Sequence, residues 1–291
     1  MIIAVHGGAS IKKNNEMLEV LELSANSNNV IEAIEVLEDH ESFNCGYGSN
    51  LNLEGGVENE ASYMNDKNQY GAVGCVRNSK NPAKIAEKIA KSTWWRNRKL
   101  LHPMLIVGDG VNRFFDEENV EKSSQESLKS PKSIENFEKL EKEQNLSYDT
   151  VGAILWSSEL CEASSSSGGI ILKNPGRLGH SCVYGAGTWA ETRKDAENFR
   201  KKKCGEIARR LLNPSDDLPI QKLTEFFAEI RGIFGGIAIC SEQSGEHQEL
   251  LIFHNSPYLP VAFRGKNGKI RKFWSKFEGK IGEFMIKSIV L

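Results

Sequence analysis

The sequence contains no apolar run that approaches the roughly 20 residues needed to span a membrane, so we expect no membrane-spanning segment. Its formal net charge is only −2, and no overall basic field favours nucleic acid as a partner. The six cysteines are scattered and none lies in a C-x-x-C pair, which argues against a zinc site and a disulfide framework. No charged segment followed by a long apolar one opens the chain. We therefore expect no signal peptide, reduced thiols and an intracellular location, in the nucleus, the cytoplasm or both.

Enough apolar residues are present for a sizeable core, because 39% of the 291 residues are hydrophobic. Helices followed by paired strands, then two helices and another strand pair, suggest separate layers and an α+β fold rather than alternating βαβ units. Strands are predicted at residues 2–5, 57–64, 70–76, 103–107, 150–156, 160–165, 183–187, 234–240, 249–253, 261–263 and 284–290. Helices are predicted at 15–39 with a break at 26–29, and at 82–89, 111–115, 206–212 and 222–230.

Residues 116–149 differ from the rest of the chain. They are dominated by Glu, Lys, Ser, Asn and Gln, and their isolated apolar residues cannot bury enough surface to order the segment independently. We interpret this segment as an exposed linker that holds at most a transient helix around 134–146.

The linker ends at the junction of Asp149 and Thr150, where the sequence becomes abruptly apolar. A chain cut at this bond would expose Thr150 as a new N-terminus. That residue would then carry a nucleophile, its hydroxyl, and a base, its own α-amine, which is a known pairing in covalent catalysis. Taken alone, Thr150 is more simply interpreted as a β-branched residue that opens a strand.

Three other segments carry side chains suited to chemistry. Residues 44–52 combine small residues and amides in a loop that can approach a substrate closely, although an ordinary connecting loop has the same composition. Residues 164–169 form a serine-rich run that a hairpin would bring beside Thr150, or else a flexible polar turn. Arg177 lies between two glycines, as suits capture of a carboxylate, but a surface arginine is the simpler interpretation.

Together these segments resemble one known family. Residues 5–9, 43–53, 60–64, 71–74, 149–153, 166–179 and 184–191 are similar, in this order, to the N-terminal-nucleophile hydrolases of the type-2 asparaginase family. Within it the closest likeness is to the threonine aspartases (taspases), endopeptidases that cut after aspartate. The resemblance implies a four-layer αββα sandwich built from two subunits, 1–149 and 150–291, after self-cleavage at Asp149–Thr150. It also implies a homodimer of processed units.

The resemblance also assigns roles to residues. It implies Thr150 as nucleophile, Ser167 as a supporting hydroxyl, Asn44 as an active-site amide and Arg177 as the group that binds a substrate carboxylate. This chemistry needs neither a metal nor another cofactor, so none is expected. Further expected substrate contacts are Gly48, Asn50 and His180.

His180 bears on the substrate. Asparaginases that act on free amino acids resemble this pattern but carry an aspartate here, which pairs with the substrate's α-ammonium. A residue within a polypeptide has no such ammonium, and a buried unpaired carboxylate would be costly. His180 therefore favours a self-processing endopeptidase that cleaves protein substrates after aspartate.

Two alternatives remain open. One is an asparaginase or isoaspartyl peptidase that acts on small substrates. The other is a catalytically impaired family member that serves as a binding protein. The second alternative is motivated by residues 199–203, Phe-Arg-Lys-Lys-Lys, which stand where the family has hydroxyl residues and a glycine of the oxyanion hole.

Overall fold

The computed structural model describes residues 1–10, 12–118, 120–140, 150–191, 233–241, 247–279 and 283–291. Asp149, the segment 199–203 and the helices predicted at 206–212 and 222–230 lie outside these residues. In the part of the chain that is described, no helix is long and apolar enough to cross a membrane.

The described elements follow the mixed order expected from the sequence. The helices are α1 (Asn15–Ala25), α2 (Val30–Glu38), α3 (Pro82–Lys91), α4 (Trp94–Asn97), α5 (Asp109–Glu118), α6 (Gln125–Leu128) and α7 (Pro131–Leu140). The strands are β1 (Ile2–His6), β2 (Asn59–Asn65), β3 (Tyr70–Val76), β4 (Leu105–Val107), β5 (Val151–Trp156), β6 (Cys161–Ser167), β7 (Gly235–Ser241), β8 (Gln248–His254), β9 (Tyr258–Arg264), β10 (Ile270–Lys276) and β11 (Met285–Val290).

The strands form two sheets. The large sheet has the order β10-β9-β1-β5-β6-β2-β3-β4, and the small one has the order β11-β8-β7. All pairs are antiparallel except β3 with β4. Strand β5, which begins directly after Thr150, therefore lies in the interior of the large sheet, paired with β1 and β6.

Alternation along β1 shows how the layers pack. Ile3 and Val5 join the core under α1, α2 and α3, whereas Ala4 joins a second core with residues of the small sheet such as Leu250 and Ile252. Successive side chains of a strand point to opposite faces, so helices cover one face of the large sheet and the small sheet covers the other. This mixed fold with a large sheet agrees with the layered prediction. The four-layer αββα sandwich stays a prediction, because the helices predicted after residue 205 are not described.

Local signals for the helices are confirmed. The break predicted at 26–29 separates α1 from α2, and the Asn29 side chain caps α2 by accepting a hydrogen bond from Glu32 N at 2.9 Å. Pro82 occupies the first turn of α3, where its missing N–H leaves no hydrogen bond unmade.

Two local predictions are wrong. Residues 183–187 form turns, not a strand, because Gly185 adopts a positive φ of 70° and Val183 O accepts hydrogen bonds from Ala186 N and Gly187 N. The described part of the predicted linker is not simply exposed: Leu128 is fully buried with Leu51 and Val57, and Phe137 packs against them. Its few apolar residues dock on an existing core instead of building one. The division into subunits 1–149 and 150–291 stays a prediction.

Glu38, the last residue of α2, is a carboxyl buried between the helices and the large sheet. Its Oε1 accepts hydrogen bonds from Ser166 Oγ at 2.6 Å and from Ala83 N at 3.1 Å, whereas Oε2 has no partner among the described residues. Burial raises the pKa of this carboxyl to about 8, despite the lowering effect of its hydrogen bonds. The Glu38 carboxyl is therefore protonated at neutral pH, next to the strand that carries Ser167.

Replacing Glu38 by Gln should remove a pH-dependent part of the stability. Between about pH 4.5 and about pH 8 the folded chain keeps a proton that the unfolded chain has lost, so the free energy of unfolding should fall as pH rises through this range. The slope from this one group is at most about 1.4 kcal/mol per pH unit. Denaturant unfolding at several pH values should show a shallower fall in Glu38→Gln. Glu32→Gln, at an exposed position of the same helix, should keep the original slope, and equal slopes in all three chains would contradict the assignment.

Candidate active site

The β5–β6 hairpin places Thr150 beside Ser167. Val151 is the register partner of Ser166, so the next residues outward face each other at the ends of the two strands. Thr150 Oγ1 donates a hydrogen bond to Ser167 Oγ over 3.3 Å. Thr150 is partly buried and Ser167 is 2% exposed. The sequence prediction that the serine run lies next to Thr150 therefore agrees with the structure.

Two amide side chains hold the turn that follows Ser167. Asn44 Nδ2 and Asn50 Nδ2 both donate to the carbonyl of Gly169, at 2.8 and 3.0 Å. Asn44 Oδ1 accepts from Asn50 N, and Asn44 O accepts from the N–H of Gly168. The N–H of Gly169 in turn donates to Ser167 Oγ at 3.0 Å. Asn44 and Asn50 thus fix the position of the Ser167 hydroxyl through the backbone, which the sequence did not indicate.

Gly48 is required by close packing of its own loop. A Cβ at this position would lie 2.1 Å from Phe43 O and 2.9 Å from both Glu41 O and His40 O, which real side chains do not tolerate. Gly48 ends a 3₁₀ turn that begins at Gly46. This geometry explains the glycine without a substrate, so the substrate contact expected of Gly48 stays a prediction.

Arg177 and His180 lie on an exposed turn after β6. The N–H of Arg177 donates to Asn174 O at 3.0 Å, and both side chains are exposed. Among the described residues, no carboxylate lies within ion-pair distance of the Arg177 guanidinium. Arg177 therefore presents a positive charge that is open to an anionic group of a ligand.

His6 is a site residue that sequence reasoning missed. It ends β1 opposite Gly152, and a Cβ at Gly152 would lie 2.4 Å from His6 Nε2, so the glycine gives the imidazole its place two residues from Thr150. Burial, together with the nearby His180, lowers the pKa of His6 to about 4. His6 is therefore neutral at physiological pH. The sequence did place His6 at the end of a strand and before two glycines, but this pattern by itself predicted only a turn.

The described residues contain no group of three or more His, Cys, Asp or Glu side chains that could hold a metal ion. The hydroxyl, amide, guanidinium and imidazole groups of the site are suited to binding an anionic substrate and to attack by an oxygen nucleophile.

Comparison with known proteins identifies the family. Residues 10–196 match the model of the Asparaginase_2 family, described as asparaginase. The chain belongs to the Asparaginase_2 family. The match spans more than half of the chain and includes every predicted site residue, from Asn44 to His180. The family assignment made from the sequence is confirmed, together with its placement among the N-terminal-nucleophile hydrolases.

Individual relatives in the Asparaginase_2 family carry asparaginase names. A plant-type L-asparaginase of Pyrococcus horikoshii is 33% identical over 241 residues, which cover 72% of this chain and 75% of the relative. An isoaspartyl peptidase/L-asparaginase of Mus musculus is 32% identical over 217 residues, which cover 66% of this chain and 64% of the relative. An isoaspartyl peptidase/L-asparaginase of Xenopus laevis is 34% identical over 170 residues, which cover 56% of this chain and 52% of the relative. These names agree better with the small-substrate alternative than with an endopeptidase.

Proposed function

We propose that this chain is a self-processing hydrolase in which Thr150, once N-terminal, attacks an amide bond of an aspartyl compound. The observation that carries this proposal is the 3.3 Å hydrogen bond between Thr150 Oγ1 and Ser167 Oγ, formed by the residue that immediately precedes interior strand β5. The expected cleavage bond, Asp149–Thr150, directly precedes this strand.

The first stage is self-cleavage. Thr150 Oγ attacks the carbonyl carbon of Asp149, its proton passes to the amide nitrogen, and the C–N bond breaks to leave an ester and a free α-amine. Water then hydrolyses the ester, which releases the Asp149 carboxyl and restores the Thr150 hydroxyl. Ser167 contributes by holding the Thr150 hydroxyl through their hydrogen bond, because the Gly169 N–H fixes Ser167 in place.

The second stage is turnover. The α-amine of Thr150, with an ordinary pKa of about 7.7–8.0, accepts the hydroxyl proton as Oγ attacks the substrate carbonyl. The same proton passes to the departing amine or ammonia, and an ester between Thr150 and the aspartyl group remains. Water hydrolyses this ester and regenerates the enzyme. Arg177 would bind a carboxylate of the substrate and so fix the carbonyl near Thr150.

Small aspartyl substrates, such as asparagine and isoaspartyl dipeptides, are the first candidate class. They are supported by the printed names of the relatives and by the unpaired charge of Arg177. Release of ammonia or of an amino acid would be the corresponding reaction.

Polypeptide substrates cut after aspartate are the second candidate class, and His180 favours them. His180 lies close enough to His6 to lower the pKa of the His6 imidazole, and the His6 ring lies against Gly152, two residues after Thr150. Imidazoles there offer no counter-ion to the α-ammonium of a free amino acid, whereas an aspartate within a peptide carries no ammonium. The assignment to the threonine aspartases rests on this residue and on the resemblance of residues 49–53.

The third alternative, an impaired binding protein, depends on residues 199–203, which lie outside the described residues. The homodimer of processed units, the protein partners and the intracellular location stay predictions.

One assay series tests the proposal. The purified chain is first analysed by mass spectrometry and N-terminal sequencing, and we expect two fragments, the second beginning at Thr150. It is then incubated with L-asparagine, a β-aspartyl dipeptide and a peptide with one internal aspartate. Turnover of either small substrate supports the first class, and cleavage of the peptide after aspartate supports the second. A chain that stays whole and hydrolyses none of the three would overturn the proposal.

Replacing His180 by Asp should increase the preference for free amino acids. A carboxylate near the substrate's α-ammonium would add a partly exposed ion pair worth about 1 kcal/mol, hence roughly a fivefold gain in kcat/KM for L-asparagine relative to the peptide. His180→Asn, which adds no charge, should leave this ratio nearly unchanged. Equal ratios for the two variants would show that position 180 does not discriminate between the substrate classes.

A further inference from the structure

Two buried carboxylates lie directly under the turn that carries Arg177. Glu58, just before β2, and Glu60 within it are each 1% exposed, and both carboxylates point at the turn formed by residues 176–179. Glu58 Oε2 accepts a hydrogen bond from the N–H of Gly176 at 3.0 Å. Glu60 Oε2 accepts one from the N–H of Gly179 at 2.5 Å. The two carboxylates thus hold the backbone on both sides of Arg177.

Close packing adds to this restraint. A Cβ at Gly179 would lie 2.4 Å from Glu60 Oε1, so the backbone approaches the carboxylate as only glycine allows. A Cβ at Gly74 of β3 would lie 2.5 Å from Leu178 Cδ2, which shows that the Leu178 side chain packs against the β3 backbone. The residue that follows Arg177 is therefore anchored, while the Arg177 side chain itself is exposed.

The charges beneath the turn are compensated. Arg77 donates two hydrogen bonds to Glu58 Oε1, at 3.0 and 2.6 Å, and Lys173, which is 2% exposed, donates from Nζ to the Glu58 carbonyl at 2.6 Å. Burial would raise the pKa of the Glu58 carboxyl, but the Gly176 N–H and Arg77 together lower it. The negative charges of Glu58 and Glu60 are balanced by the positive charges of Arg77 and Lys173. The charge of Arg177 is therefore left for a ligand.

We propose that Glu58 and Glu60 are positioning residues that fix the Arg177 turn for capture of the aspartyl carboxylate. This inference rests on the proposed function, because it needs Arg177 to bind that carboxylate. It assigns to the Glu-x-Glu sequence before and within β2 a role in ligand affinity in addition to folding. Misplacement of a positioning group by about 1 Å can lower a reaction rate by up to about 100-fold. Loss of the Glu58 or Glu60 carboxylate should therefore weaken the binding of the ligand's carboxylate markedly.

The test measures ligand affinity separately from catalysis. N-acetyl-L-aspartate, which has no ammonium group, and L-aspartate are titrated into the processed protein by calorimetry. We expect Glu60→Ala to raise the Kd of both ligands by roughly 10- to 100-fold. Glu60→Gln keeps an oxygen acceptor for the Gly179 N–H and should restore most of the affinity. The two fragments should still form in both variants. Although the Glu60 backbone pairs with Ser167 in the β2–β6 ladder, the Glu60 carboxylate makes no hydrogen bond to Thr150 or Ser167 among the described residues.

Gly179→Ala keeps every charge but introduces the clash with Glu60, and it tests the same idea if Glu60→Ala does not fold. Glu162→Gln is the matched control: this buried β6 carboxylate accepts a hydrogen bond from Tyr63 and does not contact the turn. It should change thermal stability without changing either Kd. If Glu60 had only a structural role, Glu60→Ala and Glu162→Gln would both lower thermal stability and both leave the two Kd values unchanged.

The outcomes separate the two levels of the proposal. If Arg177→Ala loses affinity and both Glu60→Ala and Gly179→Ala keep it, the positioning role is wrong and the proposed function stands. If the unaltered protein binds neither ligand, the role of Arg177 in the proposed function fails and the inference fails with it. The same conclusion follows if Arg177→Ala binds the ligands as tightly as the unaltered protein. Loss of affinity in Arg177→Ala, Glu60→Ala and Gly179→Ala, with retention in Glu162→Gln, supports both.

Discussion

A chain with Ala in place of Thr150 should remain a single polypeptide and should lose turnover by at least about 10⁴-fold, because it lacks both the nucleophile and the N-terminal base that cleavage creates. The hydroxyl that contacts Ser167 would be absent, while the β5–β6 register would still place residue 150 at the same point. Gel analysis and intact mass spectrometry of the purified variant measure the first effect, and steady-state kinetics measure the second.

Thr150→Ser is the matched control for this result. Serine keeps the hydroxyl at the same distance along the side chain, so self-cleavage and some turnover should survive. If Thr150→Ala still splits at this bond, the nucleophile is another group. If Thr150→Ser behaves like Thr150→Ala, the hydroxyl alone does not account for the reaction.

Arg177→Ala should raise KM for aspartyl substrates strongly while self-cleavage continues. Hydrogen bonds to charged groups contribute about 1.5–3 kcal/mol each, so loss of a two-pronged contact should cost roughly 10²–10⁴-fold in kcat/KM. Self-cleavage should be spared because the reacting bond is already part of the same chain and needs no capture. Kinetics on the substrate class that the unaltered enzyme accepts provide the measurement.

Arg177→Lys is the informative companion. Lysine keeps the charge but offers no planar fork, so it should recover only part of the loss. Full recovery would mean that charge alone is needed. An unchanged KM in Arg177→Ala would remove Arg177 from substrate binding.

The sequence predicted the parts of the fold that depend on local patterns. The Asn29 cap, Pro82 at the start of α3 and the hairpin around 157–160 are short-range features, and the structure contains each of them. The prediction of a strand at 183–187 failed because the positive φ of Gly185 turns the backbone there.

The supporting contacts of the candidate site could not be predicted. Lys173 meets Glu58 across more than a hundred residues, and the ring of His6 meets Gly152 across a similar separation. Such contacts are fixed by strand order, and strand order cannot be read from local periodicity. The pattern Glu-Asn-Glu at 58–60 also suggested nothing special, since buried carboxylates are rare and alternation predicts an exposed face.

Strand order has one more consequence, for what self-cleavage would do to the molecule. Strand β1 belongs to the N-terminal fragment, yet it lies between β9 and β5 of the C-terminal fragment, and β6 of that fragment pairs with β2 of the other. Strands of the two fragments are therefore interleaved within the large sheet. Cutting one peptide bond would leave every one of these strand pairs intact, so the products should copurify as a single particle and separate only when the large sheet itself unfolds.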